Sequence, residues 1–271
     1  MSDILANMKP KIISVTNQKG GVGKTTTTIN LGAALAELGK RVLIVDLDPQ
    51  GNASTGLGIE VEERTFTTYE LLLDDVSLQD VVYKSDQENL FIVPATVDLS
   101  SADMELVSNE KRSFLLHDAL RQPAMTDLGF DFILIDCPPS LNLMTVNAMV
   151  ASDSVLIPLQ SEFFALEGLS QLMLTIREVR NSANTSLRIE GVVLTMYDAR
   201  NNLSQQVEQD ARDNLGELVF KTIIPRNVRV SEAPSFAMPV ITYDSASKGA
   251  VAYRALAKEL LANSKSTPEA A

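Results

Sequence analysis

The chain has 271 residues, of which 45% are hydrophobic, and its 35 acidic and 23 basic residues give a formal net charge of −12. This composition supports a sizeable folded core and argues against wholesale disorder, while the acidic charge by itself disfavours a nucleic-acid partner. One cysteine and one histidine exclude an internal disulfide and a His/Cys metal cage, and no apolar run approaches the ~20 residues that span a bilayer.

Apolar runs and helical stretches alternate along the chain. The predicted strands are residues 12–16, 41–46, 89–94, 130–136, 154–158, 189–196 and 220–225, and the predicted helices are residues 24–38, 104–120, 166–180, 203–215 and 250–261. Continuously apolar strands separated by helices predict an α/β fold, a doubly wound, mostly parallel sheet with helices on both faces. Ligands of such sheets bind at the carboxyl ends of the strands.

The organisation of the chain predicts one domain over residues 1–271. We find no internal repeat and no Gly/Ser linker that would separate two domains. The small, polar residues of the C-terminal tail predict a flexible segment at 262–271, and we also expect residues 1–10 to be flexible. The N-terminal residues lack the basic start and the apolar stretch of a secretory signal. The single cysteine, Cys137, favours a reducing, cytoplasmic location.

A glycine-rich segment, NQKGGVGKTT at residues 17–26, lies between the first predicted strand and helix. A strand–loop–helix of this kind places backbone N–H groups and a helix N-terminus around an anion. Lys24 is placed to reach the β- and γ-phosphates of a nucleotide, and the Thr25 hydroxyl to hold Mg²⁺. A turn that merely contains glycines is the alternative. The predicted nucleotide contacts of the loop are Gly20, Gly21, Val22, Gly23, Lys24, Thr25 and Thr26.

The loop departs from the generic pattern G-x-x-x-x-G-K-[ST], because Gln18 stands where the first glycine is required. Its additional lysine, Lys19, directly before the glycines resembles the deviant Walker A motif of the ParA/MinD superfamily of P-loop NTPases. The resemblance implies that Lys19 reaches across a dimer interface to the partner's ATP and acts in catalysis together with Lys24. A cation between two ATP-loaded faces would offset their repulsion. A solvated loop lysine is the alternative.

Carboxylates lie at the carboxyl ends of two of the predicted strands. The carboxylates of the segment DLDPQGN, from Asp46 to Asn52, are open to three interpretations: helix capping, magnesium binding or orientation of the attacking water. Pro49 and Gly51 indicate a turn, so turn formation by Asp48 is a further alternative. It resembles the switch I segment of ParA/Soj proteins, which implies that Asp48 positions the hydrolytic water and that Asp46 supports the magnesium site. The run FILID before two prolines fits a Walker B strand, in which Asp136 holds Mg²⁺ through water.

The resemblance to chromosomal ParA/Soj proteins extends from about residue 11 to residue 261, with further matching blocks at residues 161–171, 194–202, 224–234 and 243–257. It implies that Arg200 and Arg229 contact the DNA backbone and that Pro225 and Asn227 hold adenine. Solvated surface charges are the alternative for the two arginines. The terminal residues lack a basic amphipathic helix, so we expect no membrane tether, and the short segment before the first strand leaves no room for a helix-turn-helix domain.

This family resemblance implies a magnesium-dependent ATPase that forms an ATP-bound homodimer. The dimer would bind non-specific double-stranded DNA and lie on the nucleoid. A ParB-like partner would stimulate hydrolysis and so partition chromosome or plasmid DNA. The alternatives are the positioning of a protein cargo, a MinD-like role, or a metabolic P-loop enzyme.

Overall fold

The computed structural model describes residues 9–74, 76–162 and 165–266. Its strands are β1 Lys11–Val15, β2 Val42–Asp46, β3 Tyr83–Lys84, β4 Leu90–Val93, β5 Phe132–Asp136, β6 Ser154–Gln160 and β7 Arg188–Thr195. Its helices are α1 Lys24–Glu37, α2 Asn52–Gly56, α3 Thr68–Leu73, α4 Leu78–Val81, α5 Ala102–Glu105, α6 Leu115–Leu120, α7 Pro123–Leu128, α8 Leu143–Ala151, α9 Ala165–Ser182, α10 Asn202–Leu215, α11 Val228–Glu232, α12 Val240–Tyr243 and α13 Lys248–Ser266.

The described strands form one sheet in the order β3-β4-β2-β5-β1-β6-β7. All neighbours are parallel except β3, which pairs antiparallel with β4 at one edge. The chain crosses from β1 to β2 and later returns to place β5 between them, so the carboxyl ends of β1, β2 and β5 are adjacent. The predicted α/β, P-loop NTPase-like fold is confirmed.

Alternate residues of the central strands face opposite sides of the sheet, and both sides are covered. Ile13 and Ile44 belong to a core with α1 and α13, whereas Ile12 and Leu43 belong to a core with α6 and α8. A third cluster, which includes Val155, joins β6 and β7 to α9 and α10. Burial on both faces explains why these strands read as continuous apolar runs rather than as alternating ones.

The predicted strand at residues 220–225 is wrong. The backbone N–H groups of Phe220 and Ile224 donate hydrogen bonds to carbonyls of β7. Between these two residues, the Glu259 carboxylate accepts the N–H groups of Lys221 and Thr222 at 2.7 and 2.9 Å. Pro225 has no N–H to continue the ladder. Only isolated bridges to β7 and to Tyr197 form in this part of the chain.

The predicted helix at residues 104–120 is also wrong, because it is divided. Helix α5 ends at Glu105, a 3₁₀ turn covers Leu106–Ser108, and α6 begins at Leu115. Asn109 has an extended backbone, and its side chain accepts the N–H of Lys111 at 2.8 Å. This local bond competes with a helical one, as asparagine side chains commonly do.

The two ends of the chain lie partly outside the described residues. Helix α13 continues to Ser266, beyond the predicted end at residue 261. Residues 1–8 and 267–271 of the expected flexible ends, and residues 163 and 164 of one matching block, lie outside the described residues. Within the described part, no helix combines the length and hydropathy needed to cross a membrane.

Candidate functional site

The glycine-rich loop connects the end of β1 to the start of α1 and is fixed by its neighbours. Gly21 and Gly23 have φ angles of 74° and 87°, in the left-handed region where a side chain is strained. The Thr195 hydroxyl donates to the carbonyl of Val22 at 2.8 Å. Asn17 accepts the N–H of Lys19 and donates to the Pro158 carbonyl, so both sides of the loop are anchored to the sheet.

Lys24 begins α1 with its ammonium folded back over the loop. Only 6% of the residue is exposed, and Nζ donates to the Lys19 carbonyl at 3.1 Å. Burial lowers the pKa of Lys24, against the opposing effect of the negative charges of Asp136 and Asp48. A phosphate bound to the loop would place a further negative charge beside this buried ammonium and so favour its protonated form.

Asp136 ends β5, in register with Val15 of β1 and Asp46 of β2. Its Oδ1 accepts the Thr28 hydroxyl at 3.0 Å, while Oδ2 is buried and has no hydrogen-bond partner among the described residues. Burial and the charge of Asp46 raise the pKa of Asp136 to about 8, against the lowering effect of the Thr25 and Thr28 hydroxyls. An unsatisfied carboxylate oxygen beside a threonine hydroxyl fits the oxygen ligands that Mg²⁺ prefers.

The two carboxylates at the carboxyl end of β2, Asp46 and Asp48, have different surroundings. Asp46 is fully buried, and its Oδ2 accepts the hydroxyl of Ser54 at 2.7 Å and the N–H of Ser54 at 3.0 Å. Burial raises the pKa of Asp46 to about 6 despite these bonds. Asp48 accepts the N–H of Gln50 through Oδ1 and also faces the cavity beside the loop. Asp48 therefore stabilises the turn through Oδ1. Its other carboxylate oxygen, Oδ2, is the candidate for positioning a water molecule.

A cavity of about 380 Å³ joins the loop to the carboxylate turn. It is lined by Gly20, Gly21, Gly23, Lys24, Thr25, Thr26, Asp48, Gln50, Asn52, Pro139 and Met196. Glycines of the loop, a lysine and a carboxylate thus line one cavity, and phosphoryl transfer uses such a combination of groups. The roles of the individual residues stay predictions.

A second cavity, of about 220 Å³, adjoins the first and shares Gly23, Thr26 and Met196 with it. Pro225 and Asn227, the predicted adenine positions, line it together with Val230 and Tyr253. The Asn227 side chain caps α11 by accepting the N–H of Arg229 at 2.9 Å, which leaves its amide N–H₂ for a ligand. Two adjoining cavities, one at the glycine-rich loop and one at the predicted adenine positions, match the two halves of a nucleotide.

Lys19 lies apart from both cavities. Its Nζ forms an ion pair with Glu162 Oε2 at 2.7 Å, and both side chains are partly exposed. The two lysines of the loop are therefore separated, with Lys24 inside the cavity and Lys19 at the surface.

The two predicted DNA-binding arginines are exposed but already paired. Arg200, with 90% of its side chain exposed, donates twice to the carboxylate of Asp198. Arg229, with 53% exposed, pairs with Glu232 at 2.9 Å and Asp244 at 3.3 Å. A phosphate that binds either arginine would compete with its carboxylate partner.

Several residues of the site escaped the sequence prediction. Thr28 follows Lys24 by four residues, one helical turn, and this spacing is a signal that a helix prediction contains. Ser54 and Glu162 meet Asp46 and Lys19 only through the tertiary fold, and no local pattern marks them. Met196 has φ of 51°, an unusual backbone for a side chain, beside the loop glycine Gly23.

Comparisons with known proteins cover almost the whole chain. A family model described as "AAA domain" matches residues 10–189. The chain is 54% identical over 253 residues to the sporulation initiation inhibitor protein Soj of Bacillus subtilis, covering 93% of this chain and 99% of that protein. It is 52% identical over 255 residues to the chromosome partitioning protein ParA of Caulobacter vibrioides, covering 94% and 95%.

A solved structure is similar over the same extent. Cobyrinic acid a,c-diamide synthase from Mycobacterium smegmatis, with a bound ATP analogue and magnesium, superposes with a TM-score of 0.81 at 38% sequence identity. The match covers 95% of this chain and 96% of that one.

Proposed function

The chain belongs to the ParA/Soj family of chromosome-partitioning ATPases, and from this premise we propose that it acts as an ATP-dependent dimer that holds a DNA cargo on the nucleoid. It is an ATPase, and its cofactors are ATP and Mg²⁺. The proposal extends this activity to four finer statements, namely an ATP sandwich dimer, non-specific DNA binding, a ParB-like partner and a nucleoid location.

The observation that carries the proposal is the separation of the two loop lysines. Lys24 serves the nucleotide of its own subunit, because its ammonium lies in the cavity beside the glycines. Among the described residues, the ammonium of Lys19 pairs with Glu162, and a partly exposed ion pair contributes about 0–1 kcal/mol. That bond is weak enough to be exchanged for a phosphate of a second subunit, which would complete each site only in the dimer.

In the proposed reaction the chain's own residues mainly bind and orient. The loop N–H groups and Lys24 hold the phosphates, and Thr25 with Asp136 would hold Mg²⁺, which supplies charge neutralisation between the phosphates when bound. Asp48 orients the water that attacks the terminal phosphate. Lys19 of the partner adds a second cation where negative charge develops, so hydrolysis depends on dimerisation.

The dimer is tested by a pair of variants with opposite expectations. Asp48→Ala should bind ATP, stall hydrolysis and accumulate as a dimer in light-scattering chromatography, whereas Lys19→Ala should bind ATP and stay monomeric. Lys40→Ala is the matched control, because Lys40 also forms a partly exposed ion pair, with Asp131 at 3.1 Å. A Lys19→Ala protein that dimerises with ATP like Lys40→Ala would refute the proposed role of Lys19.

DNA binding is tested on the Asp48→Ala protein with ATP, by mobility shift on two unrelated duplexes. Arg200→Glu and Arg229→Glu should each weaken binding equally on both duplexes, because backbone contacts carry no base information. Binding should also fall steeply with salt. Arg177→Glu, an exposed position on α9, is the control for the change of charge. The DNA part of the proposal is wrong if no duplex shifts at low salt.

A second candidate function is that of an ATP-dependent small-molecule enzyme, which the likeness to the cobyrinic acid a,c-diamide synthase favours. Its identity of 38% is lower than the 54% and 52% of the two partitioning proteins. Turnover stimulated by a small acceptor, without an ATP-dependent DNA shift, would favour this candidate.

A further inference from the structure

We propose that a second anion site, for a phosphate-bearing ligand, lies at the amino-terminal edge of the sheet, in a cavity that presents Lys9, Lys11, Arg121 and Arg188. The cavity has a volume of about 380 Å³, and its remaining lining residues are Pro10, Asp153 and Ser186. This volume lies within the range of small-molecule sites.

The cavity is separate from the nucleotide site. Lys11 is the first residue of β1 and Arg188 the first of β7, whereas the phosphate loop follows the last residue of β1. Four residue steps of a strand span roughly 13 Å, so the sheet itself stands between the two cavities. The proposed site therefore does not depend on the proposed function, and both ligands can be bound at once.

The acidic groups around the cavity are already engaged. Asp153 accepts the backbone N–H of Ile12 through one oxygen at 2.7 Å and the guanidinium of Arg121 through the other at 3.0 Å. Glu190 accepts Lys11 at 2.7 Å through one oxygen and the Ser154 hydroxyl at 2.6 Å through the other. All four carboxylate oxygens thus have a donor.

Two cations of the cavity form no ion pair with the part of the chain that the structure describes. In residues 9–74, 76–162 and 165–266, neither Lys9 nor Arg188 forms an ion pair, and both side chains are exposed. Four cations against the two carboxylates leave an excess of two positive charges at one concave surface, in a chain whose net charge is −12. Such a local excess attracts anions despite the acidic average.

The chemistry of the donors favours phosphate over a single carboxylate. An excess of two positive charges matches a phosphate monoester, which carries about −1.5 to −2 at neutral pH, or two neighbouring diesters of a nucleic-acid backbone. The planar guanidinium of Arg188 donates to phosphate in a bidentate manner, and Lys9 adds a point charge. The shared ligand chemistry is therefore phosphate, from either a free phosphorylated molecule or a nucleic acid.

The first experiment uses the full chain with Mg²⁺ and a saturating non-hydrolysable ATP analogue, so that the phosphate loop is filled. Inorganic phosphate is then titrated at constant ionic strength while the melting temperature is followed. A ligand that binds only the folded state raises this temperature. We expect the melting temperature of the wild type to rise, and the apparent phosphate affinity of Arg188→Glu and Lys9→Glu to be at least about tenfold weaker. The control is Lys84→Glu, which should behave like the wild type. Lys84 is an exposed lysine on β3, the edge strand on the side of the sheet opposite β7.

The second arm measures the anisotropy of a labelled duplex with the same four proteins. A loss of duplex affinity in Arg188→Glu but not in Lys84→Glu assigns the site to nucleic-acid backbone, whereas unchanged duplex binding assigns it to a free phosphorylated molecule. The absence of a phosphate effect in the wild type, or an equal effect in Arg188→Glu, overturns the proposal. Neither of these two results bears on the dimer or on Arg200 and Arg229.

Discussion

The two buried carboxylates at the strand ends should make the nucleotide-free protein less stable as the pH rises. Asp46 and Asp136 have pKa values raised to about 6 and about 8, chiefly by burial, from an ordinary value of 3.8. A group whose pKa is higher in the folded state stabilises the fold at low pH, and this contribution is lost as the pH rises toward the folded value. Between pH 6 and 8 Asp136 dominates.

The expected slope follows from linkage. Each group that is still protonated in the folded state but already ionised in the unfolded state lowers the free energy of unfolding by at most about 1.4 kcal/mol for each unit by which the pH rises. From pH 6 to 8 the loss due to Asp136 is therefore at most about 3 kcal/mol. Asp136→Asn removes this titration and keeps an acceptor for the Thr28 hydroxyl, so it should flatten the pH dependence and stabilise the apo protein at pH 8.

The assay is urea denaturation followed by far-ultraviolet circular dichroism, since the chain has no tryptophan. Measurements at pH 6, 7 and 8, with and without ATP and Mg²⁺, separate the two effects. Mg²⁺ with ATP should stabilise the wild type more at pH 8 than at pH 6, and should stabilise Asp136→Asn little. Asp213→Asn, an exposed position on α10, is the control. If Asp136→Asn unfolds more easily than the wild type at pH 8 without nucleotide, the account of Asp136 is wrong.

Three further substitutions test single contacts. Lys24→Ala should abolish calorimetrically measurable ATP binding, because the buried cation faces the phosphate cavity, and near-normal binding would refute the loop assignment. Ser54→Ala should destabilise the fold by about 1–3 kcal/mol in urea, because it removes a hydroxyl donor from buried Asp46, and an effect no larger than that of exposed Ser182→Ala would count against this bond. Glu162→Gln should release Lys19 and favour the ATP-dependent dimer by up to about fivefold in sedimentation, with a weaker dimer as the contrary result.

The sheet could be predicted because its strands are short, apolar and buried on both faces. The same signal failed at residues 220–225, where the backbone N–H groups of Lys221 and Thr222 bond to Glu259 of α13. That competitor lies 38 residues away in sequence from Lys221, so a local pattern does not contain it. The helix predicted at 104–120 failed for a local reason, since Asn109 favours a turn.

The site residues that could be predicted from the sequence are those at the carboxyl ends of the strands. Asp46 and Asp136 lie in register on adjacent strands, so a parallel sheet brings them together once each is placed at a carboxyl end. The pKa of Asp136 and the pairing of Lys19 were not predictable, because both depend on burial and on residues such as Thr28 and Glu162 that the fold supplies.

The pairing of Arg200 and Arg229 bears on how an acidic ATPase could bind DNA. Each guanidinium already has a carboxylate partner, so a bound phosphate competes with an exposed ion pair. Solvent screens an exposed ion pair with a carboxylate and an exposed ion pair with a phosphate alike, so the net gain per arginine is small. One subunit would then bind DNA weakly. Two subunits joined by ATP present the contacts together, and the second set binds at a high effective concentration. Under the proposed function, weak pairs on each subunit make DNA binding depend on the nucleotide, whereas strongly basic patches would hold DNA in every state.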